Sequence, residues 1–180
     1  MKIISVNCLR TIAAVLALGA VNQAAADNFV GEVSIIDGDT LEMHGTRIRL
    51  WGIDAPESTQ LCSGDDSEQY RCGARAANDL DASIARRPVD CTPMSLDRYR
   101  RTVATCSVGG VDLGEWLVQN GLALDWPKYS KGKYGADQSK AEQAGVGIWK
   151  GSYVEPRLYR VCIRAGGTFA NCSDDAQDHP

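Results

Sequence analysis

Three acids and an arginine share one short stretch of this 180-residue chain: Asp39, Asp54 and Glu57, with Arg49 between them. Carboxylate oxygens ligate hard cations such as calcium (Ca2+). A guanidinium fork matches the geometry of a phosphate. A further carboxylate within reach can take a proton from water. A metal, a phosphate clamp and a spare base are the parts needed to hydrolyse a phosphodiester. Each piece alone is ordinary. Asp37-Gly38-Asp39-Thr40 is more often a plain turn. It is no EF-hand loop, because Leu41 stands where a ligand is required and no glycine follows. Asp54-Ala55-Pro56-Glu57 alone reads as a polar strand end, Arg49 as a solvated strand residue, and Arg98, Arg100 and Arg101 as a solvated turn.

The elements that must position these side chains follow from patterning. Residues 29–36 are β-branched and loosely alternating, Asp37-Gly38 is a hairpin signal, and residues 40–43 and 46–53 resume as strands. Residues 54–67 read as loop. Residues 68–86 read as a helix capped by Asp66 or Ser67, with Ala74, Ala77, Leu80 and Ile84 at helical spacing. Two more strands are predicted over 88–94 and 102–108, then helices over 113–120 and 136–144, ended by Gly121 and Gly145. Three strands, a helix, two strands and two helices predict an α+β, mainly β fold: a five-stranded Greek-key barrel of the OB type with about three helices. The chain after Tyr159 reads as an irregular tail, and the acidic stretch 174–180 as a mobile end.

The first 26 residues read as a secretory leader: Lys2 and Arg10, an apolar run, and the small residues Ala24-Ala25-Ala26 before a cleavage point. Cleavage there leaves 180 − 26 = 154 residues, enough for one domain over 27–160 and the tail 161–180. The leader holds two of the 19 basic residues and none of the 23 acids, so the mature chain carries 17 − 23 = −6. That excludes a nonspecific duplex-coating protein, which would be basic. It leaves room for a nuclease whose positive field is local.

Six cysteines follow the leader, an even number suited to disulfides in an oxidising compartment. Cys91 and Cys106 are symmetric about the Arg98-Tyr99 midpoint, as opposed residues of a hairpin must be. Sequence alone does not choose the pairing of the other four; Cys62–Cys72 and Cys162–Cys172 are the expected local loops. A zinc site ranks below this, since there is no C-x-x-C and only His44 and His179 are available.

In four pieces the sequence resembles the staphylococcal nuclease (thermonuclease) family. They are Ile36-Asp37-Gly38-Asp39-Thr40; Arg47-Ile48-Arg49-Leu50 with Gly52-Ile53-Asp54-Ala55-Pro56-Glu57; Asp97-Arg98-Tyr99-Arg100-Arg101; and Gly147-Ile148-Trp149. The likeness spans roughly residues 29–155, and the pattern around Cys91 and Cys106 resembles secreted bacterial members. The resemblance implies that Asp39, Asp54 and the Ala55 carbonyl hold one calcium ion. It implies that Glu57 activates the attacking water and that Arg49 and Arg101 bind phosphate, with Tyr99 near the substrate. Arg98 and Arg100 are further substrate-binding candidates. Arg100 departs from the family, which has glycine there. The expected partner is DNA, with RNA as the further candidate, and the expected setting a monomer in the periplasm or outside the cell. Two rivals stay open: a non-catalytic envelope module binding oligonucleotides or oligosaccharides, and a phosphodiesterase acting on a small envelope-derived substrate.

Overall fold

The computed structural model describes residues 28–173. The leader and the acidic end of the chain lie outside the described residues. The chain order is β1 (Phe29–Gly31), β2 (Ser34–Asp37), β3 (Thr40–Met43), β4 (Thr46–Leu50), β5 (Ile53–Asp54), β6 (Cys62–Ser63), β7 (Gln69–Tyr70) and α1 (Cys72–Ile84). There follow β8 (Val89–Leu96), β9 (Thr102–Val108), β10 (Val111–Asp112), α2 (Leu113–Gln119), β11 (Leu124–Asp125), α3 (Pro127–Ser130), α4 (Gly135–Ala144), a 3-10 turn (Gly147–Lys150), α5 (Pro156–Arg164) and α6 (Phe169–Cys172).

The α+β class expected from the sequence is the class observed. The main sheet has seven strands in the order β1-β8-β9-β4-β3-β2, with β10 on β9. Among the described residues no ladder joins β1 to β2; the two ends of this path are consecutive in the chain, separated only by Glu32 and Val33. All these pairs are antiparallel except β4 with β9. The short strands β1 and β10 take the sheet beyond five strands. Strand β4 shows how sequence sets the faces: Ile48 and Leu50 are buried while Arg47 and Arg49, alternating with them, turn the other way. Leu41, Met43, Ile48, Leu50, Val89, Ala104, Leu117 and Val118 belong to one core, onto which α1 and α2 pack. Burying one such Leu or Ile contributes roughly 1.5–3 kcal/mol.

Three readings change. The predicted strand 29–36 breaks at Glu32 and Val33, because its first half pairs with β8 and its second with β3. The helix predicted from residue 68 starts at Cys72 instead, since Gln69 and Tyr70 pair with Ser63 and Cys62. The expected caps do not serve it; Asp66 accepts from the Glu68 N–H within its own loop. Residues after Tyr159 are not irregular: two helices, α5 and α6, occupy the segment, and the described residues hold six α-helices in place of about three.

All three disulfides form as the sequence reading paired them: Cys62–Cys72, Cys91–Cys106 and Cys162–Cys172. Cys91 stands directly opposite Cys106 in the β8–β9 ladder. The turn between these strands is tied by Asp97, whose side chain accepts from the N–H groups of Tyr99 at 2.8 Å and Arg101 at 2.9 Å. Arg100 closes that turn at φ 64°, in the left-handed region. There an L side chain costs roughly 1–2 kcal/mol. Glycine removes that strain and adds some unfolded-chain entropy. Arg100→Gly is therefore expected to stabilise the fold by about 0.5–1 kcal/mol, read as a higher urea midpoint. An unchanged or lower midpoint would contradict the strain assignment.

Candidate active site

The register of the sheet builds the site. Arg49 on β4 pairs opposite Thr40 on β3, and the Leu50 N–H donates to the Asp39 carbonyl at 2.8 Å. Arg49 and Asp39 are thus neighbours by construction, and Arg49 Nη2 lies 2.8 Å from Asp39 Oδ2. The same nitrogen reaches Asp54 Oδ1 at 3.1 Å. Asp54 sits on β5, which pairs with β11, while the Trp126 N–H donates to the Gly52 carbonyl at 2.9 Å. That anchors Trp126 beside the acids, with the guanidinium carbons of Arg49 and Arg160 each 5.9 Å from its ring centroid.

Both aspartates are buried, with Asp39 4% and Asp54 6% exposed. The Asp39 carboxyl is pushed up to about 7. Burial is the main cause; Arg49 opposes it, Asp37 and Asp54 add to it, and a bond from the Ala55 N–H opposes it again. Glu57 is held from below. The side chain of Gln60, fully buried, accepts from the Glu57 N–H at 3.2 Å and donates to the Val154 carbonyl at 2.6 Å. The Gln60 N–H in turn donates to the Glu57 carbonyl at 2.8 Å. On the other side the start of α1 presses against the same backbone, and a Cβ on Gly73 would overlap the Glu57 carbonyl.

These groups border a groove of about 910 Å³. Asp39, Arg49, Ala55, Glu57, Arg98, Tyr99 and Arg101 line it, so the structure brings together nearly every residue singled out in the sequence. Asp54 lies against it beneath Arg49 and Arg160. Arg101 stands across the groove, its Nε donating to Asp97 Oδ2 at 2.7 Å. Burial alone would raise the Asp97 carboxyl, but its bonds to the Arg101 side chain and backbone and to the Tyr99 N–H hold it below its usual range. Tyr99 is 64% exposed, flanked by the guanidinium carbons of Arg98 at 4.8 Å and Arg101 at 5.6 Å. Arg100 is the exception. It does not line the groove. His44 occupies the β3–β4 turn at φ 50°, away from the acids.

Sequence reasoning missed Arg160. From α5 it donates to both oxygens of Asp54, at 2.9 and 2.8 Å, and to Glu57 Oε1 at 2.9 Å. Burial pulls its basicity down, yet the bonds to Asp54 and Glu57 raise it above the ordinary value. Its signal was legible: Pro156 at the first helical position, apolar Tyr159, Cys162 and Ile163 on one face, and arginines at 157, 160 and 164. All three arginines line the groove.

Among the described residues no three His, Cys, Asp or Glu side chains are grouped as a metal cluster. The donor set is nevertheless suited to a hard ion. Two carboxylates converge on one cationic nitrogen, that of Arg49, and all donors nearby are oxygens. Asp39, Asp54 and the Ala55 carbonyl are the residues that could hold it, with water or a phosphate oxygen filling the rest.

A family model described as staphylococcal nuclease homologue matches residues 47–151. The chain belongs to that family. Among relatives, the succinoglycan biosynthesis protein ExoI of Rhizobium meliloti is 43% identical over 145 residues, covering 78% of this chain and 76% of the relative. The micrococcal nuclease of Shigella flexneri is 32% identical over 158 residues, covering 78% and 84%. An uncharacterized endonuclease of Haemophilus influenzae is 28% identical over 135 residues, covering 71% and 70%. The nuclease-family match runs from residue 47 to 151, yet Asp39 before it pairs with Arg49 and Arg160 beyond it pairs with Asp54.

The packing around Glu57 makes a direct test. Gly73→Ala is expected to destabilise by about 1–3 kcal/mol through overpacking against the Glu57 carbonyl. A denaturant midpoint equal to that of the parent would show that the α1 start does not brace this loop.

Proposed function

We propose that this chain is a calcium-dependent nuclease that hydrolyses phosphodiester bonds of DNA, and of RNA where it can enter the groove. One observation carries the reading. The buried Asp39, the Glu57 carboxylate and the Arg49 and Arg101 guanidinium groups, from separate strands and turns, line one groove, which also offers an exposed tyrosine, and the buried Asp54 is paired with Arg49 beside it. Charge supports it further. Although the chain is acidic, eight basic residues line this groove (Arg47, Arg49, Arg98, Arg101, Lys128, Arg157, Arg160 and Arg164) against four acids (Asp37, Asp39, Glu57 and Asp97). That balance favours a polyanion at this face.

In this reading Asp39, Asp54 and the Ala55 carbonyl would hold calcium, which would supply Lewis-acid stabilisation of the charge building on the non-bridging phosphate oxygens. Glu57 takes the proton of the attacking water, held in place by Gln60 and by the backbone at Gly73. Arg49 binds a non-bridging phosphate oxygen. Arg101, oriented by Asp97 through Nε, presents its terminal nitrogens to the developing charge. Tyr99 offers a ring for a base to stack on. Water attacks directly, and no residue becomes covalently attached. The setting is periplasmic or extracellular, which suits the three disulfides. Among the described residues no helix is long and apolar enough to cross a membrane.

A second reading has one observation behind it: the relative at 43% identity is named for the biosynthesis of a polysaccharide. In that case the groove serves an envelope process, as a binding module or as a phosphodiesterase on a small anionic substrate.

Digestion of single-stranded and plasmid DNA by the oxidised protein, with calcium and with chelator, separates these. Cleavage is expected with calcium only, and Glu57→Gln is expected to slow it by about 10²–10⁴-fold with the fold intact. Unchanged turnover in that variant contradicts the role given to Glu57. Polynucleotide binding or small-diester turnover without strand cleavage favours the second reading.

The Asp39 carboxyl adds a pH test. Burial pushes it up to about 7 in the folded chain, well above the ordinary carboxylate range. The folded chain therefore holds this proton more tightly, and the metal-free fold loses this group's contribution as pH rises from about 4 to about 7. Calcium requires the ionised form. Apparent calcium affinity, measured by calorimetry, is expected to rise between about pH 6 and 8. An affinity flat across that window would contradict Asp39 as a ligand.

A further inference from the structure

Helix α5 lies beyond the stretch matched by the family model, which ends at residue 151. It is fixed against the loop that carries Glu57. Three consecutive residues of that loop hold the C-terminal segment: Thr59 through the Tyr159 hydroxyl at 2.8 Å, Gln60 through the Val154 carbonyl at 2.6 Å, and the Leu61 N–H through Ser173 Oγ at 2.9 Å. The Cys162–Cys172 disulfide joins α5 to α6. Arg160 is therefore delivered to the acids by a braced element.

With Arg49, it takes up most of the accepting capacity of Asp54. Asp54 Oδ1 accepts from Arg49 and Arg160, and Oδ2 accepts from Arg160. A carboxylate has about four lone-pair sites, so three at Asp54 are occupied by guanidinium groups. The Glu57 oxygen that Arg160 holds is likewise withdrawn from a water molecule. A cation cannot ligate Asp54 fully while this fork is closed.

We propose that Arg160 is an internal counter-cation that calcium must displace from Asp54, and that the displaced guanidinium becomes a phosphate ligand in the groove. The proposal rests on the calcium-dependent reading above. Both ends of the exchange are available to it: Arg160 lines the groove, between Arg157 and Arg164 one turn to either side, so a phosphate arriving there meets a planar fork already in place. The exchange links metal and substrate. Calcium alone must open the fork against two carboxylates. Calcium with a phosphodiester opens it onto a new anion. The C-terminal helix thereby sets the order in which the site assembles and keeps it closed to cations when no substrate is present.

The test is calorimetric titration of calcium, without nucleic acid, into the full oxidised chain and into Arg160→Met and Arg160→Lys. Arg160→Met removes the charge and keeps the stem. It is expected to bind calcium about tenfold more tightly or better, while its KM for a single-stranded oligonucleotide rises several-fold with a smaller change in kcat. Arg160→Lys keeps a point charge without the fork and is expected to fall between. Circular dichroism confirms the fold of each, and if Arg160→Met does not fold, the lysine variant decides. Calcium affinity unchanged or weaker in the folded variants, beside a parent that cleaves with calcium, overturns this proposal alone. A parent chain that neither binds calcium nor cleaves overturns the functional reading beneath it.

Discussion

Burial of two like charges beside each other is the constraint around which this structure is built. Asp39 and Asp54 are almost wholly removed from solvent. Neither can stay ionised there without a positive partner, because an unpaired buried carboxylate carries a desolvation penalty of several kcal/mol. Arg49 answers from the next strand and Arg160 from a helix more than a hundred residues away in sequence. The β3–β4 register, the β5–β11 pairing and the anchoring of α5 all serve to hold these four side chains at bonding distance. A site of this kind is stable without metal and ready for one, since a divalent ion can replace what the guanidinium groups supply.

The rest of the site is braced from outside the chemistry. Gln60 is buried and fully engaged, joining the Glu57 backbone to Val154. Asp97 fixes Arg101 and closes the turn that displays Tyr99. The local nature of the charge matters as much. A chain of net charge −4 concentrates eight basic side chains on one groove, so overall acidity says nothing about what that groove attracts.

Much of this was legible in the sequence where signals are local. Strand β9 has the predicted bounds, since alternation and a clean turn fix it. Gly145 ends α4 in the left-handed conformation its position suggested. The Cys91–Cys106 pair follows from hairpin symmetry, and the grouping of Asp39, Arg49, Asp54 and Glu57 from their crowding around one strand. What failed depends on distant partners. Residues 29–36 alternate throughout, yet their two halves find different neighbours. Residues 69–70 have helical company but are drawn into a ladder with the segment at Cys62. The arginines of α5 advertise a helix face, but no local pattern says that the face meets Asp54. Arg100 shows the converse: its charge beside Arg101 suggests a substrate contact, while backbone geometry gives it the turn's left-handed position outside the groove.

The central claim is that one acidic site exchanges guanidinium groups for metal and phosphate together. Linkage tests it most directly: calcium affinity measured with and without a saturating, non-hydrolysable single-stranded oligonucleotide. The account predicts tighter calcium binding when the oligonucleotide is present, and an equal gain in oligonucleotide affinity when calcium is present. Independent binding of the two, with neither affinity altered by the other ligand, would contradict it.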